Sequence, residues 1–293
     1  MKPSDILLAL LVVVIWGFNF VVIKLGLQGL PPILFTALRF ACAALPMVFF
    51  IRRPAEPLRR LAGYAAFQFA LQFTLLFSGM QFGFPPGLAS LVIQLQAFFT
   101  IGLAVLVLGE RPLVTQVAGA MIAFAGMAVV AMHLEARATL VGFLMVIAAG
   151  FSWGVGNIFT KRIGKVDALA LVIWGSLLAA PPLLLASFVL EGPAAIDAAL
   201  GQMNWLSAGA VLFQAYPTTI LGFGIWSMLM RKYPAATVAP FTLLVPVAGM
   251  LSAAWVLGEP LQWWKLAAGL LVLTGLALNQ FGARMMTALS PSK

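Results

Sequence analysis

Amides, hydroxyls and tryptophans stand at positions where an apolar chain has little reason to keep them. Gln68 and Gln72 lie four residues apart inside one long apolar run, and Ser90 and Gln94 repeat that spacing in the next. Residues four apart share a helical face, so each pair points one way; Phe98 continues the second stripe, and Gln96 points elsewhere. In the first apolar run Trp16, Asn19 and Phe20 share a face, and in a later one Trp153, Asn157 and Thr160 do. Polar groups inside a membrane need partners and face a bundle interior or a water-filled path. Amides among aromatic walls can hold the ammonium and carboxylate of an amino acid without a fixed charge, while its side chain is accepted loosely. The same amides can instead join helices, each contributing about 1–2 kcal/mol or less. As a set on successive helices they point to a polar lumen, to which Tyr216 adds a phenol.

Trp16 and Trp153 lie mid-run, away from the interfaces where tryptophan anchors, and are read as lumen-lining aromatics. Gly17 and Gly154 beside them allow close helix approach or a loosened turn. Lys24 and Arg39 lie toward one end of their runs. Lys24 can snorkel to the interface, and Arg39, deeper in its helix, needs an acceptor or serves an anionic group; each can attract a substrate carboxylate. Prolines remove a backbone hydrogen bond and can place a kink. Pro181-Pro182, Pro217, Pro240 and Pro246 fall inside apolar runs, and Pro240 with Pro246 is the expected hinge.

The missing residues narrow the function as much. Asp5, Glu110 and Glu259 sit at the ends of apolar runs, the other five acidic residues are in loops, and so is the single histidine, His133. Proton relays commonly use Asp, Glu or His chains, and no such chain is present. Paired aspartates or a nucleophile with a nearby base, as an intramembrane enzyme needs, are lacking, and no G-x-x-x-x-G-K-[ST] loop occurs. The sequence therefore implies no enzyme, no cofactor, no metal and no direct use of ATP. Movement down the substrate gradient is expected, with Glu110 or Glu259 the groups to carry a proton if one is exchanged.

These residues must be positioned by membrane-spanning helices. The chain of 293 residues is 63% hydrophobic and 9% charged, with a mean hydropathy of +1.07, against about a quarter charged in soluble domains. A span needs about 20 mostly apolar residues, and spans are expected at 5–27, 33–51, 61–81, 87–108, 114–132, 140–160, 168–190, 205–230, 236–257 and 262–282. Proline and glycine punctuate the breaks, at Pro31-Pro32, Pro85-Pro86, Gly109, Gly192-Pro193 and Gly258. The N-terminal run has no small-residue cleavage site after it, so it reads as an uncleaved first span. The net charge of +9 lies in short loops, which argues against a nucleic-acid partner. Cys42, the only cysteine, lies in a span and has no intramolecular partner.

The chain also repeats itself, a pattern that fixes architecture. Trp16-Gly17 precedes Lys24 as Trp153-Gly154 precedes Lys161, the Trp and Lys eight residues apart in both. Val107-Leu108-Gly109-Glu110 is echoed by Val256-Leu257-Gly258-Glu259, and a glycine follows each Glu by sixteen residues, at Gly126 and Gly275. Five spans per copy make the copies antiparallel, with a site between them near the bilayer midplane. The first repeat is placed at 1–132 and the second, inverted, at 140–283. With the N-terminus inside, thirteen of seventeen Lys and Arg fall on the inner side, and only Lys24, Arg39, Arg137 and Lys265 do not. Positive residues concentrate in cytoplasmic loops, so both termini are expected in the cytoplasm.

The Trp-Gly-x-Asn-Phe start, Pro31-Pro32 with Arg39-Phe40, Gly87-Leu88-Ala89-Ser90-Leu91 and the Leu-Gly-Glu before Gly126 resemble the EamA family of the drug/metabolite transporter superfamily. Within it the chain is similar to bacterial amino-acid exporters of the O-acetylserine/cysteine and aromatic-amino-acid types, along nearly its whole length. The resemblance implies an all-helical membrane protein of ten helices in inverted repeats that exports amino acids or related metabolites through the inner membrane. Its partners would be a small-molecule substrate and the lipid bilayer. A broad drug or metabolite exporter of the same fold, or a channel-like pore, are the alternatives.

Overall fold

The computed structural model describes residues 1–134, 140–164, 166–233 and 235–289; the side chains of 235–236, 239–240 and 283–289 lie outside that description. Arg137, Lys165, Lys293 and the side chain of Arg284, all used in the charge balance, therefore lie outside it, as do Pro234 and the side chain of Pro240. Among the described residues the chain is helical and contains no strand. Long apolar runs favour helices in lipid because every backbone group is then paired within its own segment.

The helices are α1 Pro3–Gly26, α2 Pro32–Ala44, α3 Leu58–Gln81, α4 Pro86–Leu108, α5 Val114–Met132, α6 Leu140–Ile163 and α7 Ala168–Leu190. They continue as α8 Pro193–Gly201, α9 Trp205–Lys232, α10 Val245–Leu257 and α11 Trp263–Leu289. Proline at the first turn starts several of them without losing a hydrogen bond, as at Pro3, Pro32, Pro86 and Pro193. Gly109 and Gly258 end α4 and α10 in the left-handed conformation, at φ 68° and 67°, which only glycine adopts freely.

Nine helical segments among the described residues are long and apolar enough to cross a membrane, α2 being counted with the turn that carries it to Phe49. The expected span at 236–257 departs from this. It opens with one helical turn, Ala235–Val238, and a 3-10 segment, Ala239–Leu244, leaving a shorter apolar helix at Phe241–Leu257. Pro240 sits in that 3-10 segment and Pro246 in the first turn of α10, where a missing N–H costs nothing. Pro181-Pro182 do not interrupt α7, which runs unbroken through both. The expected span at 33–51 is met by Pro32–Phe49, in which α2 is followed by a 3-10 turn at Met47–Phe49, and the expected 191–203 loop contains α8.

The packing has a regular pattern. α1 lies along α10 and α9; α6 lies along α4 and α3; α2 packs on α7 and α5 on α11. Lipid tails are as apolar as leucine, so such contacts rest on close packing rather than on hydrophobic burial. The α5–α11 contact shows this: Gly119 and Gly275 each lie against the other's carbonyl, with no space for a Cβ on either. The outward surface is apolar, and Trp205, at the start of α9, is 94% exposed. With Trp255 and Trp263, also exposed near helix ends, it fits an aromatic belt.

Candidate functional site

Two of the long helices carry a π-helical stretch near mid-length. Ala66–Leu71 in α3 and Gln214–Leu221 in α9 are π-helical, a form that appears as short bulges, often at functional sites. Pro217 accounts for the second, because it supplies no N–H to the α-helical ladder. There the Thr219 hydroxyl reaches back five residues and donates to the Gln214 carbonyl at 2.8 Å.

The π segment of α9 meets α1 through polar contacts. Trp16 Nε1 donates to the Thr218 carbonyl at 3.1 Å, and the Thr218 hydroxyl donates to Asn19 Oδ1 at 3.0 Å. The Trp16 ring packs against Phe223 and Trp226, each with centroids 5.4 Å apart. Asn19 is buried, and so is Phe20, which packs in the main apolar core with Phe98 rather than beside the polar groups.

On the other side of the bundle α6 meets α4 and α3 in a similar way. Asn157 Nδ2 donates to Gln96 Oε1 at 2.9 Å and to Thr100 Oγ1 at 3.0 Å. The Ser152 hydroxyl donates to the Phe67 carbonyl at 2.7 Å, inside the π segment of α3. Gln96 thus belongs to the polar set, contrary to the sequence expectation. A 3-10 turn at Ile93–Leu95 shifts the phase between Gln94 and the helix that follows, so spacing counted as continuous α-helix misplaced it. Trp153 packs at the edge of the apolar core.

Gln68 and Gln72 are buried, and the Oε1 atom of each has no partner among the described residues. Gly156 lies against Gln68, which places that amide at the α3–α6 contact. Gln94 is also buried. Ser90 is fully buried and its hydroxyl donates to the Gly87 carbonyl at 2.7 Å and to the Pro246 carbonyl at 3.4 Å. That geometry joins α4 to α10 through Ser90. Gly17 lies against Ala248 and Gly249, and Gly154 against Phe99 and Thr100, so both glycines serve close helix approach. Tyr216 is exposed, as are Leu212 and Leu221 around it, and is not brought into the polar set.

Arg39 is sealed in the interior at 1% exposure. Its Nη2 donates to Thr219 Oγ1 at 3.0 Å, while Nε and Nη1 have no partner among the described residues. The guanidinium lies over Phe73 at 4.2 Å and Phe40 at 4.7 Å from the ring centroids. Phe rings offer a cation some attraction but no acceptor for the two remaining nitrogens.

The two membrane faces differ. Three ion pairs join helices on one of them: Lys161 with both Glu110 oxygens at 3.0 Å, Arg231 with Asp167 at 2.8 Å, and Lys232 with Asp5 at 2.7 Å. Tyr233 also donates to Asp5. The opposite face holds a cavity of about 470 Å³ lined by Lys24, His133, Glu259, Trp264 and Lys265 among others. Glu259 accepts from the Gly87 N–H at 3.3 Å. Burial pushes its carboxyl above its ordinary value, against the opposing pull of Lys265, the Gly87 N–H and Lys24. Sequence spacing located Glu259 at a helix end but gave no sign that the end would be covered. No group of three or more His, Cys, Asp or Glu able to hold a metal occurs among the described residues.

The profile of the EamA-like transporter family matches residues 4–132 and 140–281. A "Probable amino-acid metabolite efflux pump" of Salmonella typhimurium is 44% identical over 97% of this chain and 97% of its own. A protein of the same description from Escherichia coli K12 is 42% identical over 98% of both chains. A "Probable terminal-alkyne amino-acid exporter" of Streptantibioticus cattleyicolor is 29% identical over 95% of this chain and 94% of its own. A protein of known crystal structure matches with a TM-score of 0.67 at 19% identity, over 98% of this chain and 99% of that one. That last likeness concerns the fold.

Proposed function

The chain belongs to the EamA-like transporter family, and from that premise we propose that it exports neutral amino acids or related small metabolites across the bacterial inner membrane by alternating access. It is a multi-pass membrane protein and a transporter, not an enzyme. The relatives described as amino-acid metabolite efflux pumps support the substrate class.

The observation that carries the mechanism is the matched packing around α1 and α6. α1 on α10 and α9 corresponds to α6 on α4 and α3, while α2–α7 and α5–α11 are self-corresponding pairs. The π segments of α3 and α9, and the 3-10 turns preceding the last stretches of α4 and α10, fall at corresponding places. This correspondence supports ten spans in two inverted repeats, 1–132 and 140–283, with the tenth span formed by the short helix at Phe241–Leu257. Inverted repeats place a site at their interface near the midplane. Trp16, Asn19, Gln68, Gln72, Gln94, Trp153 and Asn157 would line it, with the Gln96–Asn157 and Asn19–Thr218 contacts breaking and re-forming as the halves rock. The excess of Lys and Arg on the Glu110 face supports that face, and both termini, being cytoplasmic.

Purified protein in liposomes, screened across labelled amino acids with and without a pH gradient, tests the reading. Flux is expected to follow the substrate gradient and to change little when a pH gradient is imposed. Uphill accumulation driven by pH alone and abolished by a protonophore would overturn the uncoupled mechanism.

A further inference from the structure

Lys24 and Glu259 occupy one membrane face as Lys161 and Glu110 occupy the other. Lys24 lies in the last turn of α1 and Lys161 in that of α6. Glu259 follows the left-handed Gly258 that ends α10, and Glu110 follows the left-handed Gly109 that ends α4. α1 packs on α10 as α6 packs on α4. Both carboxylates are tied to α4, Glu259 through the Gly87 N–H at its start and Glu110 through the residues just past Leu108. Those points are 23 helical residues apart, about 35 Å at 1.5 Å per residue, a full membrane core.

The two pairs differ in one respect. Lys161 Nζ lies 3.0 Å from both Glu110 oxygens, whereas Lys24 and Glu259 line one cavity of about 470 Å³ and make no ion pair with each other or with another of the described residues. That volume suits a small-molecule site, roughly 300–1,000 Å³. Lys265 adds a second cation; it is buried at 7% exposure, donates to the Pro260 carbonyl at 3.0 Å and lies beside Trp264. The Trp264 ring is buried and stacks on His133 with centroids 5.0 Å apart. A covered carboxylate, two lysines and an aromatic wall thus meet in one space.

We propose that this cavity binds the charged ends of a zwitterionic α-amino acid, its ammonium on Glu259 and its carboxylate on Lys24. The bound molecule holds the two side chains apart. Its departure lets them pair as Lys161 and Glu110 do, which closes this face and frees the other. A zwitterion fits because it sets an ammonium against the Glu259 carboxylate and a carboxylate against the Lys24 ammonium at once, whereas an uncharged solute offers neither side chain an opposite charge. This inference rests on the amino-acid exporter reading.

The test uses proteoliposomes and the neutral amino acid giving the highest flux, together with its α-amide and its decarboxylated amine. For the unaltered protein the amino acid is expected to be favoured over both analogues. Lys24→Gln should weaken it about tenfold or more, the loss of one charge-assisted contact, and abolish discrimination against the amide. Glu259→Gln should weaken both the amino acid and the amide. Thermal stabilisation of detergent-solubilised protein by the same compounds reads binding without flux. A folded Lys24→Gln protein that keeps both the parent affinity and the parent preference for the carboxylate would overturn the proposal. So would unaltered protein stabilised equally by amino acid, amide and amine. Absence of flux for every amino acid with unaltered, folded protein would instead defeat the exporter reading.

Discussion

Arg39 Nη2 reaches the Thr219 hydroxyl at 3.0 Å, and among the described residues this is the sole hydrogen bond of a guanidinium sealed between α2, α3 and α9. Nε and Nη1 have no acceptor among those residues. Removing one partner of a buried charge is costly, whereas replacing the charge by an apolar side chain of similar volume is often neutral or stabilising.

Arg39→Met is therefore expected to fold with a melting temperature at or above that of the parent and to transport substrate poorly if Arg39 meets a carboxylate. Thr219→Val should lower stability by about 1–3 kcal/mol, because it leaves the guanidinium with no acceptor at all. Thermal unfolding in detergent and flux in liposomes, measured on both variants, check the pair. An Arg39→Met protein with parental flux would show the residue to be structural only.

The amides divide into two kinds with different expected phenotypes. Asn157→Ala leaves Gln96 and Thr100 without their shared donor, and a loss of about 0.6–2 kcal/mol is expected from membrane-helix hydrogen bonds, together with lower flux. Gln68→Leu and Gln72→Leu remove buried oxygens that have no partner among the described residues, so stability should hold, because an apolar group of similar shape in place of an unsatisfied polar one is nearly neutral or stabilising, while transport falls. Gln94→Ala, at another buried amide, should also lower transport. Flux that declines only in proportion to folded protein would assign all four to helix packing.

Glu259 makes stability depend on pH. Its folded-state pKa lies above the ordinary 4.5, chiefly through burial. A carboxyl that holds its proton more tightly when folded favours the folded state as pH falls through the folded value, and the gain is complete below the unfolded one. The melting temperature should therefore rise as pH is lowered from neutrality toward 4.5, and Glu259→Gln should flatten that part of the profile. A profile unchanged by Glu259→Gln would remove the argument from burial.

The inverted arrangement is open to direct labelling. Single cysteines placed in the 52–60 and 191–203 loops, in a Cys42→Ala background, should react from opposite sides of the membrane. Reaction of both from the same side would contradict the antiparallel repeats.

Much of this molecule was legible in its sequence because membrane helices carry a strong, local signal. Apolar length, proline at helix starts and glycine after Leu108 and Leu257 placed most helix ends within a few residues. What failed depended on departures from α-helical geometry. A 3-10 turn at Ile93–Leu95 brought Gln96 rather than a continuous Ser90–Gln94–Phe98 stripe into contact with α6. The π segment around Pro217 made Thr218 and Thr219 the partners of Asn19, Trp16 and Arg39. The pair of threonines directly after a mid-span proline was the available clue, since hydroxyls can satisfy carbonyls that a proline frees. Phe20 and Phe98 share faces with the polar residues in the sequence and belong to the main apolar core in the structure, because a shared face says nothing of what lies opposite it.

Alternating access is tested most directly by counterflow. Proteoliposomes loaded with unlabelled amino acid and diluted into the same amino acid at trace labelled concentration should accumulate label transiently above its equilibrium level, then lose it. A carrier gives this overshoot because its loaded site returns faster than its empty one or exchanges at each face in turn. A monotonic approach to equilibrium without overshoot, at rates that do not saturate with substrate, would contradict the account and mark the molecule as a pore.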